Sequence, residues 1–235
     1  MKNKPEEKHS TRRNDLQIYR GISVLAVLVF HFFPSFLPLG YLGVDLFFVI
    51  SGFVIFPKLT NLRNTLGYKL RTKEIIDFYL SRYFRLAPAL SVLISVTIII
   101  FLFLAPISIL TKTTKQSVYS IFGAGNYSAF ESGSSYFDSD INPMLHTWSL
   151  AVESQFYIAL PIIALLFSFT NLSRRTLTLI CFGIGVTSFL IFTKFLLLEI
   201  PGVENHDSFL FYSPFGRVFE FLLGAGASQI LVKKM

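Results

Sequence analysis

Apolar residues in this chain come in long blocks separated by polar stretches, rather than in short alternating stripes. Six oily runs read at Leu16–Phe36, Gly40–Phe56, Tyr83–Ile109, Thr147–Phe169, Thr176–Leu198 and Phe209–Val232. Each is close to the roughly 20 residues that a bilayer-spanning helix needs. The second run is short and the third long, a difference that tilt absorbs. The pattern predicts an all-α fold: a polytopic transmembrane bundle of about six spans. The one long connection, Leu110 to His146, is rich in Gly, Ser, Asn and Asp and reads as a loop. Residues 1–15 read as a polar N-terminal segment and 16–235 as one membrane domain, with no internal repeat and no low-complexity tract.

Composition agrees with the blocks. Of the 235 residues, 52% are hydrophobic and only 15% charged, against about 25% charged in soluble domains. Mean hydropathy is +0.58. A net charge of +7 raises nucleic acid as a ligand, but the basic residues lie between oily runs and form no phosphate-tracking groove. They orient the protein instead. The leading segment, the Lys58–Arg85 connection, the Arg174–Arg175 connection and the tail at Lys233 and Lys234 hold most of the Lys and Arg. The intervening connections carry Glu131, Asp138, Asp140, Glu199, Glu204 and Asp207. By the positive-inside rule both termini are expected in the cytoplasm, in the cell (inner) membrane. No small-residue cleavage site follows the first oily run, which is therefore read as an anchor and not a cleaved signal. Cys181 is the single cysteine and lies in an apolar run, so it reads as a small core residue.

Ionisable residues inside the oily runs change the picture, because each costs at least about 2.5–3.5 kcal/mol in hydrocarbon. Arg20 and His31 share the first run, eleven residues apart. That offset is nearly three helical turns, so both leave one face, about 16 Å apart along the axis. Arg82 and Arg85 share a face where the third run enters from the cytoplasm. His31, Asp45, Glu153, Arg217 and Glu220 sort to the outer half. Three guanidinium groups suit an anionic ligand such as a phosphate, or else they anchor their helices by snorkelling. His31 suits a general base, a structural hydrogen bond or a proton relay. Asp45 and Glu153 either orient His31 or bind Arg217, and helix spacing does not choose. Arg217 and Glu220, three apart, read as a mutual charge pair. His9, His31, His146 and His206 show no metal-ligand spacing, and neither a Gly-rich phosphate loop nor a G-x-S-x-G elbow occurs. A transporter or channel would also use embedded Arg, His and Glu, although no inverted repeat of broken helices is evident.

Five stretches follow in order: "YRGISVLAVLVFHFF", "GYLGVDLFFVISGFVI", "FYLSRYFRLAPAL", "MLHTWSLAVESQFYIALPI" and "GRVFEFLLGA". Together they resemble the acyltransferase 3 family of integral membrane acyltransferases, in particular the bacterial branch that O-acetylates lipopolysaccharide, exopolysaccharide or peptidoglycan sugars. The resemblance matches the family's spaced Arg and His to Arg20 and His31, its Arg-x-x-Arg pair to Arg82 and Arg85, and its Trp-Ser-Leu…Glu signature to Trp148, Ser149, Leu150 and Glu153. It implies transfer of an acyl group, usually acetyl, from cytoplasmic acyl-CoA (acetyl-CoA) to a hydroxyl of a cell-surface glycan across the bilayer, with no metal. Arg20, Arg82 and Arg85 would hold the CoA phosphates, and His31 would be the base, with Asp45 and Glu153 as catalytic carboxylates. His146, Trp148, Ser149, Arg217 and Glu220 would line the acceptor side, although Trp148 fits an interfacial aromatic belt equally well. Direct transfer is expected; an acyl-enzyme would need His31 or Ser149 as nucleophile. Members of the family usually have about ten spans. This chain is therefore expected to be the motif-bearing N-terminal portion, active or not by itself.

Overall fold

The oily runs are helices. The computed structural model describes residues 14–62, 68–132, 142–168, 173–197 and 206–231, and no strand occurs among them. The N-terminal segment and the basic tail lie almost wholly outside these residues. In chain order the helices are α1 (Asn14–Phe32), α2 (Gly43–Leu62), α3 (Tyr68–Leu104), α4 (Ile107–Ile121), α5 (Gly125–Glu131), α6 (Thr147–Ser168), α7 (Arg174–Leu197), α8 (His206–Tyr212) and α9 (Pro214–Leu231). A 3₁₀ turn, Gly40–Leu42, leads into α2. Three of the described segments are long and apolar enough to cross a membrane: Asn14–Phe32, Gly40–Pro57 and Thr72–Leu104. In α7 the apolar stretch is shorter, Thr178–Thr193. Helices thus occur in all six predicted runs, while among the described residues the length and apolarity that mark a span are met by three.

Three element boundaries differ from expectation. Helix α3 starts at Tyr68, fifteen residues before the predicted span, and runs for 37 residues. Its Lys, Arg and Glu are good helix formers, so charge ends the apolar pattern without ending the helix. The predicted Leu110–His146 loop contains α4 and α5. Helix α4 escapes hydrophobic patterning because its buried face is polar: Thr113, Gln116, Ser117 and Ser120 are buried, while its exposed face mixes Ile107, Val118 and Ile121 with Thr111, Lys112, Thr114 and Lys115. Lastly, the sixth run is broken at Ser213. Pro214 opens α9 where its missing N–H costs nothing, and the Ser213 hydroxyl accepts from Phe215 N at 3.2 Å as an N-cap.

Helices α2 and α9 form the centre, with α7 against α9, α1 against α2, and α6 against α2 on another side. Their crossing is set by two glycines. A Cβ on Gly52 would lie 2.1 Å from the Phe221 carbonyl oxygen, and one on Gly224 would lie 1.9 Å from that of Val49. Only residues without a side chain let the two backbones approach so closely. Around this contact packs an aromatic core of Phe48, Trp148, Tyr212 and Phe221, with Phe156 stacked on Phe221 at 3.9 Å. Helices α4 and α5 meet in a glycine-ended turn. Gly123 has φ +68°, Ala124 N donates to Tyr119 O and Gly123 N donates to Ser120 O, which satisfies carbonyls at the end of α4. Cys181 is buried, as its apolar setting implied.

Candidate active site

Helix α1 has an arginine near its start and a histidine in its last turn, and each sits in a separate group. Around Arg20 the structure gathers Arg82, Arg85, Glu153 and Tyr157: two cations, a carboxylate and a neutral phenol. Arg82 comes from the middle of α3 and is only 8% exposed. Its guanidinium lies 4.8 Å from the centre of the Tyr157 ring and 5.6 Å from that of Phe78, a desolvated cation–π arrangement. This is not a snorkelling geometry, since a snorkelling side chain carries its head to water. Arg85, one turn on, is exposed. The Arg20 guanidinium lies 5.5 Å from the centre of the Phe47 ring. Its Nε and Nη2 are buried and have no hydrogen-bond partner among the described residues.

Sequence sorting placed Glu153 with the outer group; the structure places it with the arginines. Seven residues beyond His146, it lies about 10 Å further along α6. The carboxylate is 1% exposed and held by two hydroxyls: Ser51 Oγ donates to Oε1 at 2.6 Å, and Tyr157 Oη donates to the same oxygen. Tyr157 was legible as the i+4 neighbour of Glu153. Ser51 was not, because it comes from α2.

At the other end, His31 Nδ1 is 2.8 Å from the carbonyl oxygen of Val27. A carbonyl only accepts, so Nδ1 bears the hydrogen and the neutral ring's lone pair is on Nε2. The His146 ring stands 4.5 Å from the His31 ring at 85°, and Phe30 meets His31 at 5.2 Å and 86°. His146 keeps part of its surface open, yet enough protein surrounds it that burial, and then repulsion from the neighbouring His31 whenever that ring is protonated, pushes its imidazole down to about 4. Ser149 Oγ donates to the His146 carbonyl at 3.2 Å.

Asp45 rather than Glu153 carries Arg217. Arg217 Nη1 donates to Asp45 Oδ1 at 2.8 Å and to Glu220 Oε1 at 3.0 Å, while Nε donates to the Phe211 carbonyl at 3.1 Å. The mutual Arg217–Glu220 pair read from the spacing is thus present, with Asp45 added. Its guanidinium also lies 5.4 Å from the Trp148 ring centre and 4.8 Å from that of Phe211. The end of α8 leaves carbonyls without helical donors, and here Arg217 takes that of Phe211 while Asn126 Nδ2 donates to that of Tyr212 at 3.1 Å. The triad clamps the α8–α9 break onto α2. Trp148, expected at an acceptor entrance or in an interfacial belt, is instead 1% exposed in the core beneath this clamp. No group of three or more His, Cys, Asp or Glu with metal-holding geometry occurs among the described residues.

Helix α1 thus brings Arg20 to a group of arginines from α3, part buried and part exposed, and carries a tautomer-fixed imidazole at its other end. Residues 13–235 match the Acyl_transf_3 family model, an acyltransferase domain. The chain is similar to the peptidoglycan O-acetyltransferase OatA of Listeria monocytogenes, 33% identical over 213 residues, which cover 90% of this chain and 33% of that protein. It is also similar to the O-acetyltransferase OatA of Staphylococcus aureus, 32% identical over 145 residues, 61% of this chain and 23% of that one. The chain therefore spans about a third or less of the length of these curated relatives. No solved structure matches it. With five motifs in order and a family match from residue 13 onward, this chain belongs to the acyltransferase 3 family of integral membrane acyltransferases.

Proposed function

We propose that this chain carries both halves of a membrane O-acetyltransferase site, using cytoplasmic acetyl-CoA as donor and a cell-wall glycan hydroxyl as acceptor. The observation that carries the reading is Arg20: two buried guanidinium nitrogens without a partner among the described residues, beside Arg82 and Arg85, on the helix that bears His31. Unsatisfied buried donors are costly, and a planar fork of N–H groups matches phosphate oxygens. CoA phosphates supply such oxygens. The glycan acceptor is suggested by the Listeria relative, a peptidoglycan O-acetyltransferase.

In this reading the thioester lies between the clusters, and the acceptor hydroxyl gives its proton to His31 Nε2 as its oxygen attacks the thioester carbon. The C–S bond then breaks, and the departing CoA thiolate takes the proton back from the imidazolium. Transfer is direct, with no acyl-enzyme. Glu153 balances charge among the arginines, and His146 and Ser149 line the acceptor approach. The six oily runs cross the cytoplasmic membrane with both termini inside, so that Arg20 faces the CoA pool and His31 the outer surface.

Acetyl-CoA binding to the purified chain in detergent, beside an Arg82→Ala/Arg85→Ala double variant, tests this. We expect the variant to lose donor affinity by tenfold or more, each lost charge-assisted bond being worth about 1.5–3 kcal/mol. Unchanged affinity would reject the CoA assignment. It would leave a transporter of some other solute as the better account of the embedded charges.

A further inference from the structure

Nothing so far assigns the contact between two imidazoles. We propose that His146 is a positioning residue for His31, its ring packing edge-to-face against the base so as to hold the orientation that the Val27 bond selects. The inference rests on His31 being the base.

His31 lies in the last turn of α1, one residue from its end, where a helix frays most readily. Its ring is exposed, so core packing does not fix its torsions. Contacts that bear on them include the 2.8 Å bond from Nδ1 to Val27 O, Phe30 at 86°, and His146 at 85°. Phe30 is itself met by Tyr41 of the 3₁₀ turn at 5.7 Å. The base is thereby tied to α1, to the turn before α2 and to the segment before α6. His146 is the only contributor to this set that is on the far side of the chain from α1 in sequence. Its own place is secured by its neighbour: Thr147 Oγ1 donates to the Met144 carbonyl at 2.6 Å and bonds Ser120 Oγ at 2.6 Å.

The chemistry needs this. Perpendicular rings near 5 Å are a favoured aromatic geometry, because the electropositive edge of one ring meets the electronegative face of the other. A base misplaced by about 1 Å costs on the order of a hundredfold in rate. His146 must also be uncharged, because a cation 4.5 Å away would oppose the charge His31 gains. Its depressed proton affinity keeps it neutral at pH 7.

The test uses the whole chain in lipid nanodiscs, with ¹⁵N-labelled imidazoles and acetyl transfer to a soluble peptidoglycan fragment. In the wild type, His31 should show the Nδ1–H tautomer alone. His146→Ala should mix the two tautomers and lower kcat about ten- to hundredfold with acetyl-CoA affinity unchanged. His146→Phe, which keeps a ring and discards the nitrogens, should restore the single tautomer and most of the rate. A single tautomer in His146→Ala would overturn the proposal with or without turnover. Failure of His146→Phe to restore the tautomer would overturn it too, assigning the nitrogens instead. His31→Ala separates the two readings: retained transfer there would remove His31 as base, whatever His146 does.

Discussion

At the residue scale, the buried charges divide into those that are already satisfied and those that are not. Arg217 spends Nη1 and Nε on Asp45, Glu220 and a helix-end carbonyl, and it stacks on Trp148. Arg20 keeps two nitrogens without a hydrogen-bond partner among the described residues. The first is a clamp; the second, in the function proposed above, is the receptor. Arg217→Ala should therefore act on stability: it leaves Asp45 and Glu220 without their cation, a loss of about 3–5 kcal/mol for a buried pair. A melt in detergent reads this, and we expect Arg217→Lys to recover part of the loss. Arg20→Ala should leave the melt close to wild type, since two of the nitrogens it removes have no hydrogen-bond partner among the described residues and its neighbours include two like charges. His146 adds a pH term. Its folded value, about 4, lies below the unfolded 6.5 or so. Its contribution to stability is thus complete above pH 6.5 and declines as pH falls towards 4. His146→Asn should flatten that part of the stability curve, as a melt series from pH 7 to 4.5 would show.

At the element scale, two kinds of helix were visible in the sequence to different degrees. Helices α1, α2 and α3 announce themselves by apolar length. Helix α4 does not, because its buried face is Thr, Gln and Ser, and a pattern search looks for the opposite polarity. The break before α9 was in view as Ser213–Pro214, but an apolar run on both sides masks a cap signal. The α2–α9 crossing rests on Gly52 and Gly224, each facing backbone within the reach of a methyl group. Gly224→Ala should force the helices apart and cost about 1–3 kcal/mol. A control at Gly183, where a Cβ meets nothing within 4 Å, should be near neutral or stabilising. Equal losses at both sites would mean that the crossing is not set by backbone approach.

At the scale of the whole molecule, topology decides whether Arg20 and His31 can serve opposite faces of a membrane. Cys181 is the single native cysteine, so Cys181→Ser gives a background for placing one label at a time. In intact cells an impermeant maleimide should reach Ser132→Cys, beyond α5. Ser10→Cys and Lys233→Cys should react only after the membrane is opened. Labelling of Ser10→Cys from outside would invert the protein and put the arginine cluster out of reach of cytoplasmic CoA.

By itself the sequence determined the helical class, the membrane setting, the family, and the pairing of Arg20 with His31 on one face. These depend on composition and on offsets within one helix, which the 3.6-residue turn fixes without reference to neighbours. The partners were decided by tertiary structure. Only packing gave Asp45 rather than Glu153 to Arg217, drew Ser51 and Glu153 together across 102 residues, buried Trp148, and set His146 beside His31. The reason is geometric: a helix fixes which face a side chain leaves, while the rotation and depth of the neighbouring helix fix what it meets.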